Sequence, residues 1–187
     1  MLVKDKMTPR PITVTPDTPV SDALKRMRDG RFRRLPVVLG DKLVGIVTDR
    51  ELREAAASQH TVEMVMHKEP LTIGADDLLE TAALMMRNNK VGALPVMRDK
   101  TLVGIVTESD IFDTFLDMMG LRGPGRRLRL ELPDIAGSLA DVTRIISAYD
   151  CNISNIVYFG DGALIVRLED GNIEDAVAEL KKAGYLA

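Results

Sequence analysis

The 187-residue chain has no tryptophan, one cysteine, two histidines and only 4% aromatic residues. A single thiol, Cys151, has no internal disulfide to make, and its place after an apolar helical stretch favours packing over nucleophilic chemistry. His60 and His67 lack a cysteine or a second acidic pair at ligand spacing, which disfavours a bound metal. No apolar run approaches the roughly 20 residues that cross a bilayer. No leader of charged, apolar and cleavage regions opens the chain. These absences predict a soluble, cytoplasmic protein with no membrane partner. A net charge of −3 provides no general pull toward phosphate backbones, so nucleic acid is a disfavoured partner. The order Ser-His-Asp, the Gly-x-Ser-x-Gly elbow, the P-loop and the dinucleotide fingerprint are all missing, which argues against an enzyme and against a cofactor.

What the chain does have is itself, twice. Met7 and Met66 stand 59 residues apart, and at that shift residues 7–54 lie over 66–113. Leu43-Val44-Gly45-Ile46-Val47-Thr48 falls on Leu102-Val103-Gly104-Ile105-Val106-Thr107, and Leu35-Pro36-Val37 on Leu94-Pro95-Val96. Pro11, Thr13, Asp17, Ala23 and Met27-Arg28 also find their like. A module used twice predicts a pseudo-symmetric domain, and two facing copies create a cleft.

Each copy reads as β-α-β-β-α. Residues 11–15 form a short β-type run closed by Pro16, and Val20, Ala23, Leu24 and Met27 then recur at helical spacing after the start chemistry of Ser21-Asp22. A hairpin follows around Gly40-Asp41-Lys42, and a second helix spans residues 49–58. The second copy runs on through 111–119. The ten methionines are read as filler for irregular core gaps.

Residues 121–126 are a Gly/Pro-punctuated linker. Its cluster of Arg122, Arg126 and Arg127 suits either an anion or plain solvent. From Leu128 the pattern changes. Leu128-Arg129-Leu130-Glu131-Leu132 alternates as a half-buried strand, and Leu139, Val142, Ile145 and Ile146 mark a helix. Residues 153–159 and 163–168 then read as a hairpin turning at Gly160-Asp161-Gly162. A last helix over 173–183 carries Ile173, Val177 and Leu180 on its apolar face. The fold class is α+β, with boundaries at 1–60, 61–120, 121–126 and 127–187.

Two segments carry the chemistry. Gly45 to Glu51 and Gly104 to Asp110 are each a buried strand ending in a Thr that starts a helix, where hydroxyl and unpaired N–H groups accept phosphate. A carboxylate three residues on, Glu51 or Asp110, is placed to accept from two ribose hydroxyls. Thr-x-x-Glu is equally a capping box, with Glu51 folded back on Thr48. Both readings stand at this level. Arg31, Arg33 and Arg34, with Lys90 matching Arg31, suit either phosphates crossing between copies or a solvated basic edge.

Each copy resembles a CBS domain, and the pair resembles the tandem Bateman module over about residues 1–120. The resemblance rests on Met7-Thr8, Ala23, Met27, Leu35-Pro36-Val37 and the Gly-Ile-Val-Thr segments. It implies an adenine nucleotide (an AMP, ADP or ATP type, or S-adenosylmethionine) in the cleft. Thr48 and Thr107 would touch phosphate, with Arg50 and Ser109 beside them, and Asp110 would hold ribose. Thr13, Thr72 and Ile73, with Arg34-Leu35-Pro36 and Leu94-Pro95, would frame adenine. Glu51 stands where the family's Asp belongs, so the site of Thr107 and Asp110 is expected to be the stronger.

Residues 127–187 resemble an ACT domain, a ferredoxin-like fold, through Asp134-Ile135-Ala136-Gly137-Ser138-Leu139-Ala140 and Asn152-Ile153. That likeness implies a small amino acid at Asp134, Ala136, Gly137, Ser138, Asn152 and Ile153, or dimerisation alone. Ala136 replaces a usual Pro, and Cys151 a common Gly. Most of the fourth strand is expected to be lacking: either a short strand is missing, or Tyr185-Leu186 does its work by pairing with a partner. The order CBS, CBS, ACT is similar to that of acetoin-utilisation proteins of the AcuB kind. It implies a regulatory homodimer that signals to a target protein. The alternative is a structural dimerisation module that binds no small ligand.

Overall fold

The computed structural model describes residues 1–56 and 60–186 and divides into two compact units, Met1–Phe112 and Asp113–Ala187. The first unit contains β1 (Thr8–Pro9), α1 (Val20–Gly30), β2 (Arg34–Leu39), β3 (Lys42–Thr48), α2 (Asp49–Glu54), β4 (His67–Lys68), β5 (Ile73–Gly74), α3 (Leu79–Asn89), β6 (Ala93–Arg98), β7 (Thr101–Thr107) and the start of α4 (Glu108–Met118). The end of the helix expected over 49–58 lies outside the described residues.

The repeat is visible in fine detail. The β2–β3 and β6–β7 hairpins carry a bulge at the same place, Val37/Val38 and Val96/Met97. Helix α1 buries Val20, Ala23 and Met27, and α3 buries Leu79, Ala82 and Met86 at matching positions. Both helices end on a left-handed residue, Arg31 at φ 56° and Lys90 at φ 55°. Ser21-Asp22 does not cap α1. The cap position is Pro19, and the Val20 N–H donates to the His60 carbonyl.

Residues 11–15 do not make a regular strand. Only Val14 bridges, in parallel, to Val37, because the prolines at 11 and 16 remove donors that a ladder needs.

The copies exchange their leading segments. β1 pairs with β7 of the second copy, Thr8 opposite Ile105, while β4 pairs with β3 of the first, His67 opposite Ile46. Val3 is buried in the second copy's core, beside Ile73, Leu79 and Leu94, and Val62 in the first copy's, beside Val20, Leu35 and Leu52. A division at residue 60 is therefore a division of sequence and not of space. The exchange also accounts for the glycine in Gly-Ile-Val-Thr. A Cβ on Gly104 would lie 2.3 Å from the Met7 sulfur, and one on Gly45 2.6 Å from that of Met66.

The second unit contains the rest of α4, β8 (Arg126–Glu131), α5 (Ser138–Ser147), β9 (Asn152–Tyr158), β10 (Ala163–Glu169) and α6 (Ile173–Lys182). Its antiparallel sheet has the order β8-β10-β9. Leu128, Leu130, Val142, Ile146, Leu164, Leu168, Val177 and Leu180 form the core, with Cys151 packed among them. Burial, with Asp150 nearby, pushes the Cys151 thiol pKa up. Leu139 is 45% exposed, and Ser138 takes the inward position instead. The buried face runs through 138, 142 and 146, and Leu139 lies one helical step of about 100° away. Tyr185 does not wait for another chain, since its carbonyl accepts from the Glu131 N–H of its own β8 at 2.9 Å.

The linker is shorter than its composition suggests, because Arg126 already begins β8. Arg122 pairs with Asp113 and Asp117, and Arg126 with Glu174. Carboxylates thus compensate two of the cluster's three arginines.

Candidate functional site

Both Thr-x-x-acid segments form their capping boxes. The Thr48 N–H donates to Glu51 Oε2 at 2.8 Å, and its hydroxyl donates to the same oxygen. The Thr107 N–H and hydroxyl each donate to Asp110 Oδ2 at 2.7 Å. The two copies then diverge. His67, delivered by the exchanged β4, sits with Nε2 3.3 Å from Glu51 Oε1. Burial acts to raise the Glu51 pKa, but the Thr48 hydroxyl and N–H and the His67 ring outweigh it and hold the carboxyl below its ordinary range. Freeing the Thr48 hydroxyl for a phosphate disturbs a carboxylate with three partners.

Two cavities border these threonines, and the 59-residue shift relates them. One, of about 300 Å³, is lined by Thr107 and Ile105 from the second copy and by Thr8, Arg10, Pro11 and Ile12 from the first, with Gly30, Phe32, Arg33 and Arg34 beyond. Its counterpart, of about 590 Å³, joins Thr48, Ile46, Arg50 and Glu51 to His67, Lys68, Glu69, Pro70 and Leu71, with Lys90 to Ala93 and again Arg34 beyond. Each cleft thus takes its threonine from one copy and its facing wall from the other, as the strand exchange requires. Arg34 is common to both. Its guanidinium lies 3.8 Å from Glu108 and so close over Gly92 that a Cβ there would be 2.0 Å from Nη2.

This crossing corrects one sequence inference. Arg33 precedes the hairpin that leads to Thr48, yet it lines the cleft of Thr107, together with Arg10, while Arg34 lines both clefts. Thr107 of the second copy and Arg33 of the first thus line one cavity, and Asp110 meets it through its bonds to Thr107. Phe32, Arg10 and His67 carry no repeat signal of their own. Shifting the walls by 59 residues would have paired them only once the exchange was known.

The remaining expected residues divide. Arg50 lines the Thr48 cleft, while Ser109 is exposed on the first turn of α4. Leu35, Pro36, Leu94, Pro95 and Ile73 are buried and stand behind the clefts as core. Thr72 borders a separate surface cavity with Lys42 and Lys100. The Thr13 carbonyl accepts from Arg26 at 3.1 Å.

In the second unit Asp134, Ala136 and Gly137 are exposed in an open turn, and Gly137 is the left-handed cap residue of α5 at φ 99°. Its conformation, and not a close neighbour, calls for glycine, since a Cβ there meets nothing within 4 Å. The Ser138 hydroxyl is spent on the carbonyls of Pro133 and Ile135, at 2.8 and 3.0 Å. Asn152 opens β9 exposed, and Ile153 packs on the core.

Among known proteins, an inosine-5′-monophosphate dehydrogenase of Korarchaeum cryptofilum is 36% identical over 120 residues, which take in 64% of this chain and 25% of that enzyme. A CBS domain-containing protein of Dictyostelium discoideum is 36% identical over 136 residues, 64% of this chain and 94% of that one. Among solved structures, the CBS domain pair of protein MJ0100, in complex with 5′-methylthioadenosine and S-adenosyl-L-methionine, is 32% identical with a TM-score of 0.59, covering 62% of this chain and 95% of that one. CBSX2 of Arabidopsis thaliana, in complex with AMP, is 31% identical with a TM-score of 0.57 over 62% and 96%. A Vibrio cholerae protein assigned to acetoin utilization (AcuB) is 31% identical with a TM-score of 0.59 over 65% and 95%. The family model of the CBS domain matches twice, at residues 3–58 and 62–117, and the chain belongs to the CBS-domain family.

Proposed function

We propose that this protein is a non-catalytic regulatory sensor whose CBS pair binds an adenine nucleotide or adenosyl compound, of the AMP, ADP or ATP type or S-adenosylmethionine. The Thr107 cleft is its principal site. The observation that carries the reading is the meeting, in one cavity, of Thr107 at the start of the 11-residue helix α4 with Arg10, Arg33 and Arg34 and with the apolar surfaces of Pro11, Ile12, Phe32 and Ile105. A helix start and guanidinium groups suit phosphate, and an apolar wall with a ring suits a base. Asp110 is the ribose ligand. The solved relatives holding AMP, 5′-methylthioadenosine and S-adenosylmethionine support the ligand class.

Binding at the Thr107 hydroxyl competes with the Thr107–Asp110 box and so bears on the first turn of α4. That gives the ligand different affinities for two arrangements of the helix, as regulation of a target protein requires. The second unit is read as an ACT-like domain in a homodimer, with a small amino acid held by the turn of Asp134, Ala136 and Gly137 and by Asn152. The rival is a structural module that binds nothing small, and the closed capping boxes in both copies favour it. A thermal-shift panel of AMP, ADP, ATP, S-adenosylmethionine and the common amino acids separates the two. A ligand specific for the folded state raises the melting temperature, whereas no shift with any adenosine compound refutes the sensor.

A further inference from the structure

The cavity of Thr107 does not end the basic surface. A second cavity, of about 510 Å³, lies where α1 ends and α2 begins, and it shares Phe32 and Arg33 with the first. Arg28, Arg31, Arg33 and Arg53 line it with one carboxylate, Asp49, which Arg53 already holds at 2.8 Å, and Asp29 lies 3.8 Å from Arg28. Arg31 and Arg33 are exposed and have no acidic partner among the described residues. The matching positions of the second copy hold Arg87, Lys90, Gly92 and Phe112. Two of the four cations are missing there, so the concentration of charge is a property of the first copy alone.

We propose that the two cavities form one site for an adenine nucleotide with a polyphosphate tail. The nucleoside and first phosphate occupy the Thr107 cleft, and the further phosphates pass Arg33 toward Arg31 and Arg28. The proposal rests on the reading of the Thr107 cleft as a nucleotide site and adds the class of nucleotide. The exposed arginines place multiple charge-assisted donors where a monophosphate does not reach, and planar guanidiniums match phosphate oxygens in pairs. The expected order of affinity is ATP over ADP over AMP.

Calorimetric titrations with AMP, ADP, ATP and inorganic tripolyphosphate test this on the full chain and on the double variant Arg28→Gln, Arg31→Asn. Arg28 is an exposed helix position, and asparagine tolerates the left-handed backbone of residue 31. A thermal melt without ligand reports whether the variant folds as the wild type does, and Arg28→Gln alone, which leaves residue 31 untouched, is the second variant. The double variant is expected to lose about tenfold or more in ATP affinity, the equivalent of one charged hydrogen bond, while AMP changes less than about twofold. Equal loss for AMP and ATP, no loss for ATP, or tripolyphosphate binding as tightly as ATP each overturns the extended site. Wild-type protein that binds AMP and ATP equally overturns it while leaving the nucleotide cleft in place. Wild-type protein that binds no adenosine compound overturns both.

Discussion

Glu51 and Asp110 occupy one position of the repeat and differ by a methylene, and the difference propagates through what each can reach. Glu51 holds Thr48 with one oxygen and His67 with the other, while the shorter Asp110 holds the Thr107 N–H and hydroxyl through Oδ2. Because the Glu51 pKa is lowered in the fold, its ionised form stabilises the protein at pH values above the unfolded carboxylate's, and that contribution is lost as pH falls through the folded value. Glu51→Gln should therefore melt below wild type at neutral pH, with the gap closing as the solution is acidified beyond the carboxylate range. Thermal melts across that range check it, and a constant gap would contradict the assignment. The capping box was legible in the spacing Thr-x-x-Glu. The clamp by His67 was not, because it depends on a strand that comes from the other copy.

The exchanged leading segments are the part of the fold that sequence reasoning missed. The repeat length, both hairpins of the repeat and the helices α1, α3, α5 and α6 follow from periodicity, but β1 and β4 are two-residue strands too short to show any. Nothing in Thr8-Pro9 states which copy's sheet it joins. The contacts of Met7 with Gly104 and of Met66 with Gly45 mark the swap, and a close approach of that kind is invisible without coordinates. Val3 is fully buried in the second copy's core, so Val3→Ala should cost about 2 kcal/mol. Amide exchange should accelerate first in β6 and β7 and not in β2 and β3. Faster exchange confined to the first copy would contradict the exchanged topology. The opposite lesson holds for Leu35, Pro36, Leu94 and Pro95, whose repetition is explained by burial without any ligand.

At the scale of the molecule, the fold class and the CBS pair were readable because a duplication lets one half check the other. The second unit offered no such check, and its expected open edge beside β8 is partly occupied by Tyr185. The other edge is β9, which exposes Ile156 and Tyr158, and an edge strand with exposed apolar side chains suits pairing with a second copy. Light scattering should report a dimer at micromolar concentration, converted toward monomer by Ile156→Lys. A wild-type monomer under those conditions would contradict the proposed homodimer.

The asymmetry of the two clefts is the central claim, since it joins the capping geometry, the crossed arginines and the nucleotide reading. Calorimetric titration of an adenine nucleotide into wild type, Asp110→Ala and Glu51→Ala measures it directly. The account predicts that Asp110→Ala removes the tighter site and Glu51→Ala leaves it within about twofold, less than 0.5 kcal/mol. Unchanged affinity in Asp110→Ala together with lost binding in Glu51→Ala would contradict it.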